Sequence, residues 1–306
     1  MSGAPRLTVR RVGPESAATV LGIVREAFGT RPTLNPPADA LSETESSIAT
    51  RLALGGGLVA RLDDEPVGAL ILDAVGDAVY LRRVGVLPTA RGHGVAAGLV
   101  RAASEAAVGR RWLRVVARQE LPATVAFWAR RGFVQTDRRE PYVELVRRVP
   151  VLHEIATAAQ MRALGARLAA DLRAGDVVVL TGDLGAGKTT FTQGLGQGLG
   201  VEGAITSPTF VIAREHAAAG GRPALVHVDA YRLGGTAELD DLDLDTSLDA
   251  AVTVVEWGEG VAEGLAESRV VVRISRVPTA QDLEDAESDD EPRLVEIERL
   301  GARWVR

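Results

Sequence analysis

Residues 182–189 of the chain read Gly182-Asp183-Leu184-Gly185-Ala186-Gly187-Lys188-Thr189. This is the complete phosphate-binding pattern, in which two spaced glycines are followed by a lysine and a hydroxyl residue. An apolar run, Asp176–Leu180, precedes the pattern, and a helical stretch, Thr189–Leu199, follows it. This strand–loop–helix context predicts a parallel α/β sheet whose loop binds a nucleoside triphosphate.

Lysine is used once in the whole chain. The sequence contains 35 lysines and arginines together, and all of them except Lys188 are arginine. A compact ammonium can reach between β- and γ-phosphate oxygens, whereas a planar guanidinium is bulkier and has a different donor geometry. The exception therefore indicates that Lys188 is retained for phosphate contact.

The composition is that of an ordinary globular protein with 306 residues, 46% hydrophobic and 25% charged. This length favours two domains over one. Cysteine is absent, which excludes disulfides, thiolate metal sites and cysteine nucleophiles. No stretch approaches the ~18 apolar residues of a membrane span, and no apolar leader follows Met1. We expect a cytoplasmic protein with no membrane partner.

The two halves carry opposite charge. Residues 1–150 contain 21 arginines and 15 acidic residues, whereas residues 151–306 contain 14 basic and 26 acidic residues. Such a split favours two modules with different partners. We predict domains at 1–148 and 149–306, because Arg148-Val149-Pro150 reads as a short junction. An acidic segment, 281–292, is predicted to be a loop within the second domain.

Apolar periodicity and turn residues predict a mixed sheet flanked by helices in the first half, an α+β arrangement. Its predicted strands are Leu7–Val12, Leu58–Leu62, Pro66–Ala74, Ala78–Leu87, Trp112–Ala117 and Tyr142–Arg147. Its predicted helices are Ser16–Phe28, Pro37–Leu54, a helix that ends at Ala107, and Pro122–Arg131.

The second half predicts an α/β domain of the P-loop NTPase type. Its predicted strands are Val151–Ile155, Asp176–Leu180, Ala224–Val228, Ala251–Val255, Arg269–Val277 and Arg293–Leu300. Its predicted helices are Ala158–Leu172 and Thr189–Leu199.

Two carboxylates follow strands of the second half. Asp229 comes directly after the strand that ends at Val228, and Glu256 comes directly after Val255. Because parallel strands end at one edge of the sheet, both can face the phosphates that the loop binds. One carboxylate can then hold Mg²⁺ together with the Thr189 hydroxyl, and the other can orient the attacking water. Either residue taken alone also fits a surface turn or a helix cap.

Four motifs follow one another in this half: the loop with its second threonine, Thr190, then Ser207-Pro208-Thr209-Phe210, His227-Val228-Asp229-Ala230-Tyr231-Arg232-Leu233 and Glu256-Trp257-Gly258-Glu259. In this order they resemble the TsaE (YjeE) family, the small ATPases of bacterial tRNA threonylcarbamoyladenosine synthesis. The resemblance covers about 151–306.

The resemblance implies a role for each matching residue. Lys188 and Thr189 would serve ATP and Mg²⁺, Glu256 would be the acidic magnesium ligand, and Asp229 would support hydrolysis. The implied ATP-binding set is Asp183, Gly185, Ala186, Gly187, Lys188, Thr189, Thr190, Thr209 in a switch-like loop, and Trp257 at the border of the nucleotide pocket. The implied catalytic residues are Lys188 and Asp229. The implied partners are TsaB- and TsaD-type proteins, with tRNA reached indirectly.

A P-loop small-molecule kinase is the alternative from another class. Asp229 and Arg232 would then form a base and an arginine beside a phosphate acceptor. Kinases of this kind carry an arginine-rich lid, but residues 201–223 contain only Arg214 and Arg222. The lid composition therefore favours the ATPase.

A second loop, Arg91-Gly92-His93-Gly94-Val95-Ala96, fits a pyrophosphate-binding pattern between a strand and a helix. With Val84-Gly85-Val86 before it and Ala126–Phe133 after it, the first half resembles the GNAT acetyltransferases over about residues 5–148. The resemblance implies that acetyl-CoA binds here. Val84, Gly85 and Val86 would hold the acetyl arm, and Arg91, Gly92, His93, Gly94, Val95 and Ala96 the pyrophosphate. His93 also fits an ordinary solvated loop residue.

The expected catalytic tyrosine of many GNAT enzymes is replaced by Trp128, whose indole N–H is no proton donor to a thiolate. Val116 and Leu121 stand where RimI-like enzymes use a glutamate and an asparagine, which argues against a RimI activity. Tyr80, Tyr142 or water remain as the acid. An acyl-CoA sensor without turnover is the other alternative, and the acetyl acceptor is unidentified.

Overall fold

The computed structural model describes residues 5–208, 213–231, 249–258, 265–277 and 292–305. The chain divides into two compact units, Met1–Val149 and Pro150–Trp304. Each unit contains one seven-stranded sheet with helices. The α/β fold class that the sequence predicts is confirmed. No helix among these described residues is long and apolar enough to cross a membrane.

The N-terminal unit has strand order β1-β2-β3-β4-β5-β7-β6. Neighbours are antiparallel except β4 and β5, which are parallel. Its strands are β1 Leu7–Val12, β2 Gly57–Leu62, β3 Glu65–Val75, β4 Ala78–Val86, β5 Trp112–Arg118, β6 Val134–Arg139 and β7 Tyr142–Arg148. Its helices are α1 Ala17–Gly29, α2 Glu45–Gly55, α3 Val95–Ala106 and α4 Pro122–Ala129.

The parallel pair β4–β5 separates after three residues. Only Ala78–Tyr80 pair with Trp112–Arg114, so β4 leaves β5 over its second half. Arg83 has a left-handed φ of 53°, and the register of β4 against β3 shifts beside it. An irregularity of this kind bends a strand away from its partner. The bend opens a gap between β4 and β5.

The predicted helix Pro37–Leu54 is wrong in its first part. Asp39–Ser42 form a short 3₁₀ turn, and α2 begins only at Glu45. Glu43 and Thr44 have extended backbone, with ψ of 142° and 164°, and separate this turn from the helix. Thr44 then supplies a capping box, because its hydroxyl accepts from the Ser47 N–H and the Ser47 hydroxyl accepts from the Thr44 N–H.

Strand β6 and a second strand, β10 Ala213–His216 of the C-terminal unit, are absent from the sequence prediction. Both are edge strands, and β6 has a mainly exposed, polar sequence. An edge strand of this composition buries no apolar face, so it carries no period-two pattern. Pairing with a neighbour alone creates these strands.

The C-terminal unit has strand order β10-β11-β12-β9-β13-β14-β8. The four central strands, β11, β12, β9 and β13, are parallel, and the outer ones are antiparallel. Its strands are β8 Val151–Ile155, β9 Val177–Thr181, β10 Ala213–His216, β11 Ala224–Asp229, β12 Ala251–Glu256, β13 Arg269–Arg276 and β14 Arg293–Leu300. Its helices are α5 Ala158–Ala169 and α6 Lys188–Leu199.

Helices α5 and α6 pack backbone to backbone against one face of this sheet. A Cβ atom on Gly165 would lie 2.3 Å from the Phe191 carbonyl oxygen, and one on Gly194 would lie 2.0 Å from the Arg162 carbonyl oxygen. Phe191 and Leu195 fill the core below the contact. Small residues thus allow α6, the helix that begins at Lys188, to pack closely against α5.

Gly194→Ala is expected to destabilise the C-terminal unit by about 1–3 kcal/mol, because the added methyl group meets backbone that cannot give way. Hydrogen-exchange mass spectrometry should show faster exchange in peptides from α5 and α6. Gly22→Ala in α1 is the control, because a Cβ atom there meets nothing within 4 Å. Unchanged protection of α5 and α6 in Gly194→Ala would contradict this packing.

Candidate functional site

The loop before α6 depends on three glycines with positive φ: Gly182 at 144°, Gly185 at 76° and Gly187 at 107°. At Gly182 a Cβ atom would also lie 2.2 Å from the Ile274 carbonyl oxygen. Gly187 is the N-cap of α6, a helix of 12 residues. The loop can therefore offer backbone N–H groups and the positive end of the helix dipole to an anion.

Lys188 is buried against this loop. Its Nζ donates to the carbonyl oxygens of Gly182 at 2.8 Å and Asp183 at 2.9 Å. The same Nζ lies 3.6 Å from the centre of the Trp257 ring. Burial lowers the pKa of Lys188, while the carboxylates of Glu256, Asp229 and Asp183 act in the opposite direction.

Glu256 connects the loop to the end of β12. Its carboxylate accepts from the Thr189 hydroxyl, with Oγ1 3.0 Å from Oε1 and 3.3 Å from Oε2. In the parallel register Glu256 is the direct partner of Asp229 on β11. The structure thus brings the two carboxylates to one edge of the sheet, beside Thr189.

Each carboxylate has a further partner that the sequence prediction did not assign. Ser207 Oγ donates to Oδ2 of Asp229 at 3.0 Å, and the Tyr231 N–H donates to Oδ1 at 3.1 Å. His227 Nε2 lies 2.9 Å from Oε1 of Glu256. Ser207 and His227 both stand inside the quoted motifs, and that position is the signal by which they could be found.

Trp257 has a left-handed φ of 61°, and its N–H donates to the Leu180 carbonyl oxygen at 2.9 Å. This bond ties the residue after β12 to β9, the strand that leads into the loop. The Tyr231 ring packs against Trp257 at a tilt of 57°, with 5.1 Å between ring centres. Thr209 and Arg232, both named in the sequence predictions, lie outside the described residues.

The oxygen donors suit a magnesium ion that is shared with phosphate. Described residues contain no group of three or more His, Cys, Asp or Glu side chains arranged to hold a metal. Mg²⁺ at such sites needs few protein ligands, because water and substrate phosphates supply the others. The Thr189 hydroxyl and Glu256 carboxylate meet that requirement.

The N-terminal unit contains a cavity of about 440 Å³ in the gap between β4 and β5. Of the residues predicted to bind acetyl-CoA, Val84, Gly85, Val86 and Ala96 line it. Other predicted residues form the adjoining loop, where Gly92 and Gly94 have φ of 85° and 73°. Val95 packs in the core, and Arg91 and His93 are exposed. Open β4 backbone beside a helix start fits the pantetheine arm and pyrophosphate of a coenzyme A thioester.

Two arginines lie near this cavity, and the sequence prediction did not place them close together. Arg31 lines the cavity and stacks on Phe28, with Cζ 3.6 Å from the ring centre. Burial and the nearby charge of Arg91 lower the pKa of Arg31 to about 10. Arg91 donates to the Thr30 hydroxyl at 3.1 Å. Among described residues neither arginine has a carboxylate partner, so this corner favours an anion.

The tyrosines left open as acids occupy different places. Tyr142 lines the cavity beside Arg118, whose guanidinium carbon is 5.2 Å from the Tyr142 ring centre. Tyr80 instead packs against Arg82, 4.4 Å from its ring centre. Trp128 lines the cavity with its ring packed edge-on against Phe133. Of the two tyrosines, Tyr142 is the one that lines the cavity.

Each unit overlaps a match to a known family model. Residues 155–283 match the family model "Threonylcarbamoyl adenosine biosynthesis protein TsaE", and residues 24–133 match the "Acetyltransferase (GNAT) family" model. The chain is 59% identical over 146 residues to the tRNA threonylcarbamoyladenosine biosynthesis protein TsaE of Streptomyces coelicolor, covering 47% of this chain and 94% of that relative.

Two solved structures are similar to parts of the chain. Bacillus subtilis YdiB is 31% identical with a TM-score of 0.39, covering 51% of this chain and 88% of that one. The PaiA N-acetyltransferase of Thermoplasma acidophilum, solved in complex with coenzyme A, is 14% identical with a TM-score of 0.42, covering 47% and 99%.

Proposed function

The chain belongs to the TsaE family of tRNA threonylcarbamoyladenosine biosynthesis proteins and carries a GNAT domain before its TsaE part, and on that basis we propose two linked activities. The C-terminal unit binds and hydrolyses ATP with Mg²⁺ in support of tRNA threonylcarbamoyladenosine formation. The N-terminal unit binds acetyl-CoA and acetylates an amine. The observation that carries the first activity is the Thr189–Glu256 hydrogen bond, which joins the phosphate loop to a strand-end carboxylate.

The chemistry of the loop supports the proposed ATP binding. The N–H groups around Gly185 and Gly187 surround the phosphates, and Lys188 exchanges its two carbonyl contacts for phosphate oxygens. The flat Trp257 ring beside Lys188 covers this ammonium and excludes water from it. The loss of hydration is then offset by contact with the triphosphate charge.

In the proposed hydrolysis, Glu256 and Asp229 have different roles because they have different hydrogen-bond partners. Glu256 and Thr189 would hold Mg²⁺, and the bound ion would supply positive charge next to the phosphates. Asp229 accepts hydrogen bonds from Ser207 and the Tyr231 N–H, so its carboxylate keeps a fixed orientation. In that orientation it positions the attacking water and accepts a hydrogen bond from it.

Partners of TsaB and TsaD type are proposed for the ATPase, which would reach tRNA through them. The relative from Streptomyces coelicolor is named as a tRNA threonylcarbamoyladenosine biosynthesis protein, and this chain covers 94% of its length. The kinase alternative lacks any comparable match among these relatives, and Arg232, on which it depends, lies outside the described residues.

Acetyl transfer is proposed for the cavity between β4 and β5. The acetyl arm would run along Val84–Val86, with the pyrophosphate at the loop before α3 and beside Arg31. Tyr142 would give its hydroxyl proton to the CoA thiolate as the thioester carbon–sulfur bond breaks. The attacking amine forms the new carbon–nitrogen bond to the acetyl group and loses a proton to solvent, and solvent returns a proton to the Tyr142 phenolate, which balances the step.

Lys188→Ala is expected to reduce affinity for ATP by at least about tenfold, since one charge-assisted contact to phosphate is lost. Isothermal titration with ATP and Mg²⁺ measures the affinity, and the yield of modified nucleoside in a reconstituted tRNA reaction measures the function. Arg173→Ala removes a positive charge from an exposed site before the start of β9 and serves as control. A modified-nucleoside yield that Lys188→Ala leaves unchanged would reject the proposed ATPase role.

Ala96→Glu is expected to weaken acetyl-CoA binding by roughly tenfold or more, because it adds a carboxylate to the cavity where the pyrophosphate binds. Ala97→Glu adds the same charge at the next, exposed position of α3 and should change the affinity less than about twofold. Calorimetric titration of acetyl-CoA into both variants decides. Equal affinities in the two variants would show that the coenzyme does not occupy this cavity.

A further inference from the structure

Glu256 is a buried carboxylate whose orientation depends on few groups. Its side chain is 4% exposed at the end of β12. Hydrogen-bond donors to it among described residues are the Thr189 hydroxyl and the His227 imidazole. A buried carboxylate without fixed donors is costly and can rotate. These two donors therefore determine where its oxygens point.

His227 reaches Glu256 from the neighbouring strand. It lies two residues before Asp229 on β11, so the two side chains project from the same face of the sheet. His227 is fully buried, and its direct partner on β12 is Val254. The imidazole therefore crosses diagonally to Glu256, two residues further along β12, a separation that long side chains can span.

The hydrogen bond to Glu256 determines which ring nitrogen of His227 carries the hydrogen. Glu256 can only accept, so Nε2 carries the hydrogen and donates it to Oε1 over 2.9 Å. Nδ1 is buried and has no hydrogen-bond partner among the described residues. The ring thus makes a single described side-chain bond, and that bond goes to the carboxylate beside the phosphate loop.

We propose that His227 is a positioning residue for magnesium: its Nε2–H holds Oε1 of Glu256 and keeps the carboxylate turned toward the Thr189 hydroxyl. The inference rests on the proposed function, in which Thr189 and Glu256 hold the ion. Outer donors of this kind orient a metal-binding carboxylate, and their loss typically reduces metal affinity 10–100-fold.

The proposal has an alternative in which His227 only fills the core. A core-filling residue would affect stability and nucleotide binding in general, with or without magnesium. A positioning residue would change the magnesium dependence of nucleotide binding and leave binding without the ion unchanged. The experiment must therefore measure nucleotide binding both with and without the ion.

The test uses the full chain with the fluorescent nucleotide mant-ADP, titrated with MgCl₂ and separately measured in EDTA. His227→Leu removes the donor, whereas His227→Gln places an amide nitrogen close to the former Nε2. His227→Leu should raise the Mg²⁺ concentration at half-saturation about tenfold or more, and His227→Gln less than about threefold. Binding in EDTA should stay unchanged in both variants.

Thr253→Val is the matched control. Thr253 is a buried polar residue on β12 whose hydroxyl has no hydrogen-bond partner among the described residues. It projects from the opposite face of the sheet, since it precedes Val254 by one residue. Its substitution should leave the magnesium midpoint unchanged.

If His227→Leu does not fold, as thermal melting would show, His227→Asn takes its place, because its shorter amide cannot reach Glu256. An unchanged magnesium midpoint in the folded variant without the donor overturns the proposal. Equal loss in the Gln variant, or loss that persists in EDTA, overturns it as well. Failure of the proposed function looks different, because the wild-type chain would then bind mant-ADP without any magnesium dependence.

Discussion

The parallel register of β9, β11 and β12 is the constraint on which the nucleotide site depends. It sets Asp229 opposite Glu256 and places both beside the loop that leaves β9. The N–H of Trp257 then closes the same edge by bonding to Leu180 on β9. A shift of one residue in either pairing would turn one carboxylate to the other face of the sheet. Three strands separated widely in sequence are thereby converted into one site.

The N-terminal unit forms its cavity by the opposite means. There the parallel pair β4–β5 stops pairing after Tyr80, and the gap becomes the cavity. The bend at Arg83 is held by Glu43, which is 5% exposed and lies 2.8 Å from the Arg83 guanidinium. A left-handed, non-glycine backbone persists only where its surroundings enforce it. This buried ion pair is one such contact, so a residue of the α1–α2 connection helps to keep the cavity open.

The sequence carried the fold class and most elements because these depend on local patterns. Gly182, Gly185 and Gly187 have positive φ, a local requirement that glycine meets. The apolar runs near them are typical of strands that are buried in a sheet. What it did not carry depends on tertiary pairing. Strand β6 exists because β7 lies beside it, and the bend at Arg83 exists because Glu43 reaches it. His227 reads as one more residue of a buried strand until Glu256 is known to lie diagonally across from it.

The surroundings of Lys188 explain why this position is lysine when the rest of the chain uses arginine. Its ammonium fits under the Trp257 ring and bonds two carbonyl oxygens of its own loop, 2.8 and 2.9 Å away. A guanidinium is planar and carries five donors in a fixed fork, so it would need a wider space and more acceptors than this loop provides. Burial also lowers the pKa of the lysine, and an ammonium that has already lost part of its hydration gains more from a phosphate than an exposed one. Lysine therefore occurs once in the chain, at the residue where the loop geometry does not accommodate arginine.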